Sequence, residues 1–359
     1  MKIAIILGTR PEIIKTSPII RVCERLGLDY FVLHTGQHYS YSMDRVFFEQ
    51  LELPEAKYNL DVGSGSHAEQ TGRMLIGIEK LLQKEEPDVV LVEGDTNTVL
   101  AGTLAAVKLG IPVGHVEAGL RSYDRGMPEE INRILADHSS EYLFAPTEKS
   151  KQILVGEGLA KEKIFVTGNT VVDAVFQNLK LCKSKRNVLD ALGLSNGDYV
   201  LVTVHRQENV DNEERLRGIV EGLEKTRELG FRVVYPVHPR ARKRFNDFGL
   251  EPNGVRLVEP LDYLSFLQLE RNARLILTDS GGVQEEACIL GVPCVTLRDN
   301  TERPETLDVG ANVLAGTTPS MIVDKTKLML NHDGGWENPF GDGTAGEQTV
   351  QLLMKIFSL

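Results

Sequence analysis

The sequence predicts an α/β protein of two doubly wound parallel sheets, and three observations predict it. Short apolar runs alternate with amphipathic stretches along the whole chain, the pattern of strands buried on both faces and joined by crossover helices. Loops rich in Gly, Asp, Glu, His and Arg follow those runs, and the pattern breaks once near the middle before starting again. A length of 359 residues is long for one such domain and suits two.

The first series opens with KIAIIL and an amphipathic stretch from Pro18 to Leu26, then YFVLHT with Tyr41 to Leu51, and DVVLVEGD with Leu100 to Lys108. It continues with IPVGHVEA and a helix from Glu129 to about His138, YLFAP with a helix near Lys149 to Val155, and IFVTGN. A parallel sheet of about six strands results. The segment from Gln177 to Gly197 is richer in charges and turn formers and reads as the linker. YVLVTVHR, FRVVYPVHP, VRLVEP, ARLILTDSGG with its helix, and CVTLRD form the second series. The expected domains are 1–176 and 177–344, each Rossmann-like, with a helix over 345–359 packing back on the first. Two such domains facing a central cleft would present ligand-binding loops at the carboxyl ends of their strands.

Composition narrows the function. The chain is 42% hydrophobic and 25% charged, which suits a compact fold rather than disorder. A formal charge of −11 disfavours nucleic acid as a partner. Cys23, Cys182, Cys288 and Cys294 show no CxxC or Cys/His spacing for zinc, so buried free thiols are expected and no metal. The first residues carry no secretory signal, and no segment approaches the roughly 18 apolar residues of a membrane span, so no membrane partner and a cytoplasmic location are expected.

The chemistry gathers in the loops after strands. In DSGGVQEEA, Ser280, Gly281 and Gly282 stand where a helix opens near Val283, presenting backbone N–H groups to an anion, although Asp and Ser are also ordinary helix caps. Glu286, one turn further, could accept both hydroxyls of a ribose. Arg10, Lys15 and Arg303 add cations at strand ends, and Gly8 permits a close turn. His205 beside Arg206 could donate to a diphosphate oxygen. His238 lies beside Arg240, Arg242, Lys243 and Arg244, a run that also fits a solvated helix face.

Three acids follow strands of the first half. Asp95 ends VVLVEG, Glu117 ends VGHVEA, and Glu129 follows a helix-initiating Pro128. Converging carboxylates raise one another's pKa, so that one holds a proton while another acts as base. Glu129 and Glu130 would also be at home as first-turn acids, paired with Arg133. GxGxxG is lacking at the first turn, which reads LGTRPE, and no Walker loop, GxSxG or metal-ligand cluster is present.

Taken as a set, GTRPEIIK, TGQH, GDTNT, HVEAGLRS, PEEINR, HRQEN, DSGGVQEEA, GVPCVTLR, TERPE and NPFGDG resemble the motifs of the non-hydrolysing UDP-N-acetylglucosamine 2-epimerases, in that family's order and over essentially the whole chain. The resemblance implies a glycosyltransferase-B-like pair of domains and a homodimer that needs no added cofactor. It makes Asp95, Glu117, Glu129 and His205 catalytic. It places Arg10, Lys15, His205, Phe266, Ser280, Gly281, Gly282, Glu286 and Arg303 on UDP. It also implies elimination of UDP to a 2-acetamidoglucal and re-addition, giving UDP-N-acetylmannosamine for polysaccharide or glycan precursors.

Gln37, His38, Gln70, Arg73 and His238 fall where family members hold a second, activating nucleotide sugar. Here Gln37 and His38 run into YSYSM instead of the polar continuation of many activated members, a departure that bears on this activation, and SGSHAEQTGRML around Gln70 and Arg73 departs from the commonest form, leaving room for a 2,3-diacetamido uronic acid substrate. The competing readings are a hydrolysing relative that releases N-acetylmannosamine, a glycosyltransferase on the same fold, and a non-catalytic nucleotide-sugar sensor.

Overall fold

The computed structural model describes residues 1–37, 41–332 and 334–357, leaving His38 outside. The chain divides into two compact units, residues 1–177 with 340–359 and residues 178–339. Unit 1 carries seven parallel strands, β1 (Lys2–Leu7), β2 (Asp29–His34), β3 (Tyr58–Asn59), β4 (Val89–Glu93), β5 (Val113–Val116), β6 (Tyr142–Ala145) and β7 (Ile164–Val166), in the order β3-β2-β1-β4-β5-β6-β7. Unit 2 carries six, β8 (Tyr199–Thr203), β9 (Arg232–Pro236), β10 (Arg256–Val258), β11 (Leu275–Thr278), β12 (Cys294–Thr296) and β13 (Asn312–Leu314), in the order β10-β9-β8-β11-β12-β13. Both sheets are doubly wound. The order reverses between β1 and β4 in one and between β8 and β11 in the other, the places where such sheets bind ligands.

The strands are apolar because helices cover both faces. Ala4 and Ile6 pack with Met74, Ile78, Val99 and Ala105 on one side of the first sheet, and Val200, Val202 and Leu277 pack with Ile219, Leu223 and Ile322 on one side of the second. β3, with only two residues, shows no periodicity and was not among the expected strands.

Two stretches differ from the sequence reading. The first helix begins at Arg10, eight residues before Pro18, and Pro11 supplies the proline of its opening turn. Its first turns hold the polar Glu12 and Lys15, both buried, which hides the amphipathic signal. The expected linker is largely structured: Asn187 caps a helix over Val188–Leu192, and Val188, Leu189 and Leu194 join the core around Tyr199 and Leu201. Its polar residues made those three apolar anchors look isolated.

At the other end of the chain, a helix over Ala345–Ile356 belongs to unit 1, and its first N–H groups, of Ala345 and Gly346, donate to Asp173 at 3.1 and 2.9 Å. No helix among the described residues is long and apolar enough to cross a membrane.

Candidate active site

In unit 1 the chain leaves β1 through Gly8, whose Cβ, if it had one, would lie 2.0 Å from Thr35 Oγ1 and 2.4 Å from Thr98 Oγ1. The glycine lets this loop sit against the start of the helix over Asn97–Lys108. Glu12 then ties the loop down. Its Oε2 accepts from the Gly8 N–H and the Thr9 hydroxyl, both at 2.9 Å, and its Oε1 accepts from Thr96 Oγ1 at 2.7 Å. Burial pushes the Glu12 carboxyl up to about 7 against those hydrogen bonds.

One turn on, Lys15 pairs with Glu117 and stands 3.6 Å from Glu93 Oε1. The sequence reading set Lys15 on a phosphate; the structure sets it, buried, between two carboxyls. Glu117 follows β5 with φ of +69°, a left-handed conformation that costs a non-glycine residue about 1–3 kcal/mol and persists because its surroundings hold it. Glu93, the last residue of β4, is buried beside it; burial, with Glu117 adding to it and Lys15 opposing it, raises the Glu93 carboxyl well above the usual range.

Asp95 lies just beyond. Its carboxylate pairs with Arg133 and its backbone oxygen accepts from Asn132 Nδ2 at 2.9 Å, both partners coming from the helix over Pro128–Ser139. Glu130, in that helix's first turn, accepts from the Ser122 N–H, the Tyr123 N–H and Arg133, at 2.9, 3.0 and 3.0 Å. Glu129 precedes it, partly buried. Of the two first-turn acids, Glu130 is thus the one that fixes the loop and meets Arg133.

A buried imidazole joins the ends of β4 and β5. His115 Nδ1 lies 2.7 Å from Asp137 and Nε2 lies 2.8 Å from the Gly94 carbonyl, so both ring nitrogens face acceptors and the ring is an imidazolium. Burial works against that charge, and the Asp137 carboxylate overcomes it, raising His115. Asp137 also accepts the Gly119 N–H at 3.2 Å and pairs with Arg121 at 2.7 Å. Asp95 and Glu117 therefore stand on strand ends held by one network.

In unit 2 the corresponding carboxylate is Asp279, after β11. It accepts the backbone N–H of His205 at 3.1 Å, that of Arg206 at 3.0 Å and Asn209 Nδ2 at 3.1 Å, while His205 Nδ1 stands 3.2 Å away. Burial would raise it, but His205 and the N–H donors hold it below the usual carboxylate range. With Nδ1 engaged and the side chain 40% exposed, His205 directs its other nitrogen, Nε2, away from Asp279.

Ser280 caps the helix over Gly281–Leu290 without a side-chain hydrogen bond to it, a helix start of the kind that suits an anion. Beside this helix start, Glu302 receives Arg206 at 2.9 Å and Arg298 at 2.6 Å, and Arg303 pairs with Glu285 at 2.8 Å. Glu302 is held far below the usual range, burial notwithstanding, by Arg303, Arg206 and Arg298. Glu286 accepts from the Tyr263 hydroxyl at 3.0 Å, and burial together with Glu286 raises the neighbouring Glu270 well above the usual carboxylate range. Phe266 packs partly buried against the core on this side of the sheet.

The remaining residues have these neighbours. Arg10 lies over the Phe47 ring at 4.8 Å. Gln37 and Gln70 are buried: Gln37 Oε1 accepts from the Thr98 N–H at 3.1 Å, and Gln70 Nε2 donates to the Gln37 carbonyl at 2.8 Å. Arg73 is exposed. His238 caps the helix over Pro239–Asp247, its ring 6.2 Å from that of His205, and burial lowers its pKa first, His205 second. In that helix, Arg240 and Arg244 both pair with Asp211.

Sequence reasoning passed over Glu12, Glu93 and Glu302. Glu93 had a signal, a charge ending a strand whose other residues are all apolar and whose two faces are covered.

Residues 21–354 match the family model described as UDP-N-acetylglucosamine 2-epimerase. A Methanocaldococcus jannaschii protein of that name is 58% identical over 361 residues, 98% of this chain and 99% of its own. The crystal structure of the M. jannaschii UDP-GlcNAc 2-epimerase in complex with UDP-GlcNAc and UDP superposes with a TM-score of 0.92 at 58% identity, covering 99% of this chain and all of that one. A Pseudomonas aeruginosa UDP-2,3-diacetamido-2,3-dideoxy-D-glucuronate 2-epimerase is 42% identical over 361 residues, covering 99% of this chain and 100% of its own.

Proposed function

The chain belongs to the UDP-N-acetylglucosamine 2-epimerase family, and we propose that it interconverts UDP-N-acetylglucosamine and UDP-N-acetylmannosamine by eliminating UDP and adding it back. The observation that carries this reading is the division of labour at the two sheet reversals: carboxyls at the end of β4 and β5, an anion-binding helix start and an oriented histidine at the end of β8 and β11.

The hydrogen on carbon 2 is too weakly acidic for a carboxylate to remove directly. Departure of UDP with the electron pair of the carbon 1–oxygen bond builds positive charge at carbon 1, and a base then takes the carbon 2 proton, leaving a 2-acetamidoglucal. Protonation of carbon 2 from the opposite face and return of UDP to carbon 1 complete the inversion with no net consumption of water. Ser280, Gly281, Gly282, Arg206 and Arg303 stabilise the leaving diphosphate and Glu286 holds the ribose. His205, aligned by Asp279, donates to the diphosphate, and Arg10 and Phe266 complete the nucleotide contacts. Asp95, Glu117 and Glu129 supply proton transfer, with Lys15 keeping Glu117 ionised.

A related substrate, a UDP-2,3-diacetamido uronic acid, is a second reading, favoured by the 42% identity to the P. aeruginosa enzyme of that specificity. Four free cysteines, all buried, fit a reducing compartment, and we place the enzyme in the cytoplasm as a homodimer.

The test is incubation with each nucleotide sugar in heavy water. Epimerisation puts deuterium on carbon 2 with UDP still attached; free sugar with UDP would instead establish hydrolysis, and absence of exchange from every UDP-amino sugar would remove the reading. Glu117→Gln is expected to abolish exchange while UDP affinity stays within about threefold, since uniform binding and proton transfer reside in different residues.

A further inference from the structure

Beside Glu117 the fold places an acid that the reaction above does not use. Glu93 is 2% exposed, the sheet register pairs it with Val116, one residue before Glu117, and both carboxyls face the Lys15 ammonium. A single ammonium serves both. Lys15 Nζ pairs with Glu117 and stands 3.6 Å from Glu93 Oε1. Two ionised carboxylates, out of water, with one cation between them would leave an uncompensated buried charge, and one proton between them removes it.

The surroundings say where that proton sits. Glu117 has the closer ammonium, whereas Glu93 Oε1 lies beyond hydrogen-bond distance of every donor among the described residues. We propose that Glu93 is a neutral acid that donates its proton in a hydrogen bond to Glu117 and so serves as a positioning residue, holding Glu117 ionised and aimed. This assignment rests on the epimerase reading, in which Glu117 transfers the carbon 2 proton. The proton from carbon 2 goes to Glu117, and the one on Glu93 stays in place throughout.

The experiment compares the full-length protein with Glu93→Gln and Glu93→Leu. An amide N–H replaces the acid O–H in Glu93→Gln, so kcat and its pH profile stay close to those of the wild type. Glu93→Leu removes the donor; kcat falls about 100-fold with KM little changed, and the acidic limb of the kcat profile moves to higher pH, because a carboxylate that loses a hydrogen-bond donor is easier to protonate. UDP binding by calorimetry stays at the wild-type value in both variants. An infrared difference spectrum at pH 7, wild type minus Glu93→Gln, is expected to show the carbonyl stretch of a protonated carboxyl.

Loss of activity in Glu93→Gln equal to that in Glu93→Leu, full activity in Glu93→Leu, or absence of the carboxyl band each overturns the assignment. If the wild type itself exchanges no carbon 2 hydrogen, the epimerase reading falls, and the infrared band still decides the state of Glu93.

Discussion

Replacing Glu12 by Gln will change how the stability of unit 1 depends on pH. Glu12 is fully buried and titrates at about 7 in the fold, against 4.5 for a glutamate in water. The folded state therefore binds more protons between those values, so the group's contribution to stability is fully present below 4.5 and is lost as pH rises through 7. At about 1.4 kcal/mol per pH unit, the loss comes to about 3 kcal/mol. Glu12→Gln removes the titration while keeping the geometry. Its Oε1 can accept the Gly8 N–H and the Thr9 hydroxyl that Oε2 accepts now, and its Nε2 can donate to Thr96 Oγ1, provided that hydroxyl turns its own hydrogen away. Urea unfolding of both proteins from pH 5 to 8, with the variant subtracted from the wild type, cancels the other titrations and isolates this one. The wild type should lose ground to the variant by most of about 3 kcal/mol over that range. Parallel curves would show that Glu12 is ionised at neutral pH and that its hydrogen bonds, not its burial, set its state.

Two further outcomes follow from the geometry. Gly281→Ala would place a Cβ 2.6 Å from Glu302 Oε1, pushing apart the carboxylate that holds Arg206 and Arg298; UDP affinity by calorimetry should fall about tenfold or more, while Gly282→Ala, whose nearest neighbour is 4.0 Å away, should change it far less. Asp173→Ala removes the acceptor for two N–H groups that open the last helix, costing about 1–2 kcal/mol and exposing that helix to proteolysis before the rest of unit 1 opens.

How much was legible in the sequence depends on what each residue signals locally. The parallel sheets were, because strands buried on both faces must be apolar along nearly their whole length, as IAIIL and LIL are. So were the loops, since their charged residues stand where apolar runs stop. The start of the first helix was hidden because Arg10, Glu12 and Lys15 occupy turns where burial is polar, and hydrophobic periodicity cannot register a buried Lys15–Glu117 pair. Partners distant in sequence were hidden for the same reason: nothing local in HVEAG announces that His115 will meet Asp137, 22 residues on, and hold the turn before Asp95 through the Gly94 carbonyl.

The two units solve one problem with carboxyls in opposite states. At each sheet reversal a buried acid accepts the backbone N–H of the loop after the central strand and links it to the neighbouring loop: Glu12 takes Gly8 and reaches Thr96, while Asp279 takes His205 and Arg206 from its place after β11. The difference lies in the donors. Glu12 has one N–H and two hydroxyls, and a hydroxyl can accept as readily as it donates, so a protonated Glu12 keeps its network. Asp279 faces only nitrogen donors, including the His205 ring, and a proton on it would break at least one of those bonds. Burial accordingly wins at Glu12 and loses at Asp279. Raising pH from about 6 to about 8 therefore places a new buried charge behind the carboxyl-bearing loops of unit 1 through Glu12, while Asp279 stays ionised and the loops it holds in unit 2 are unaltered.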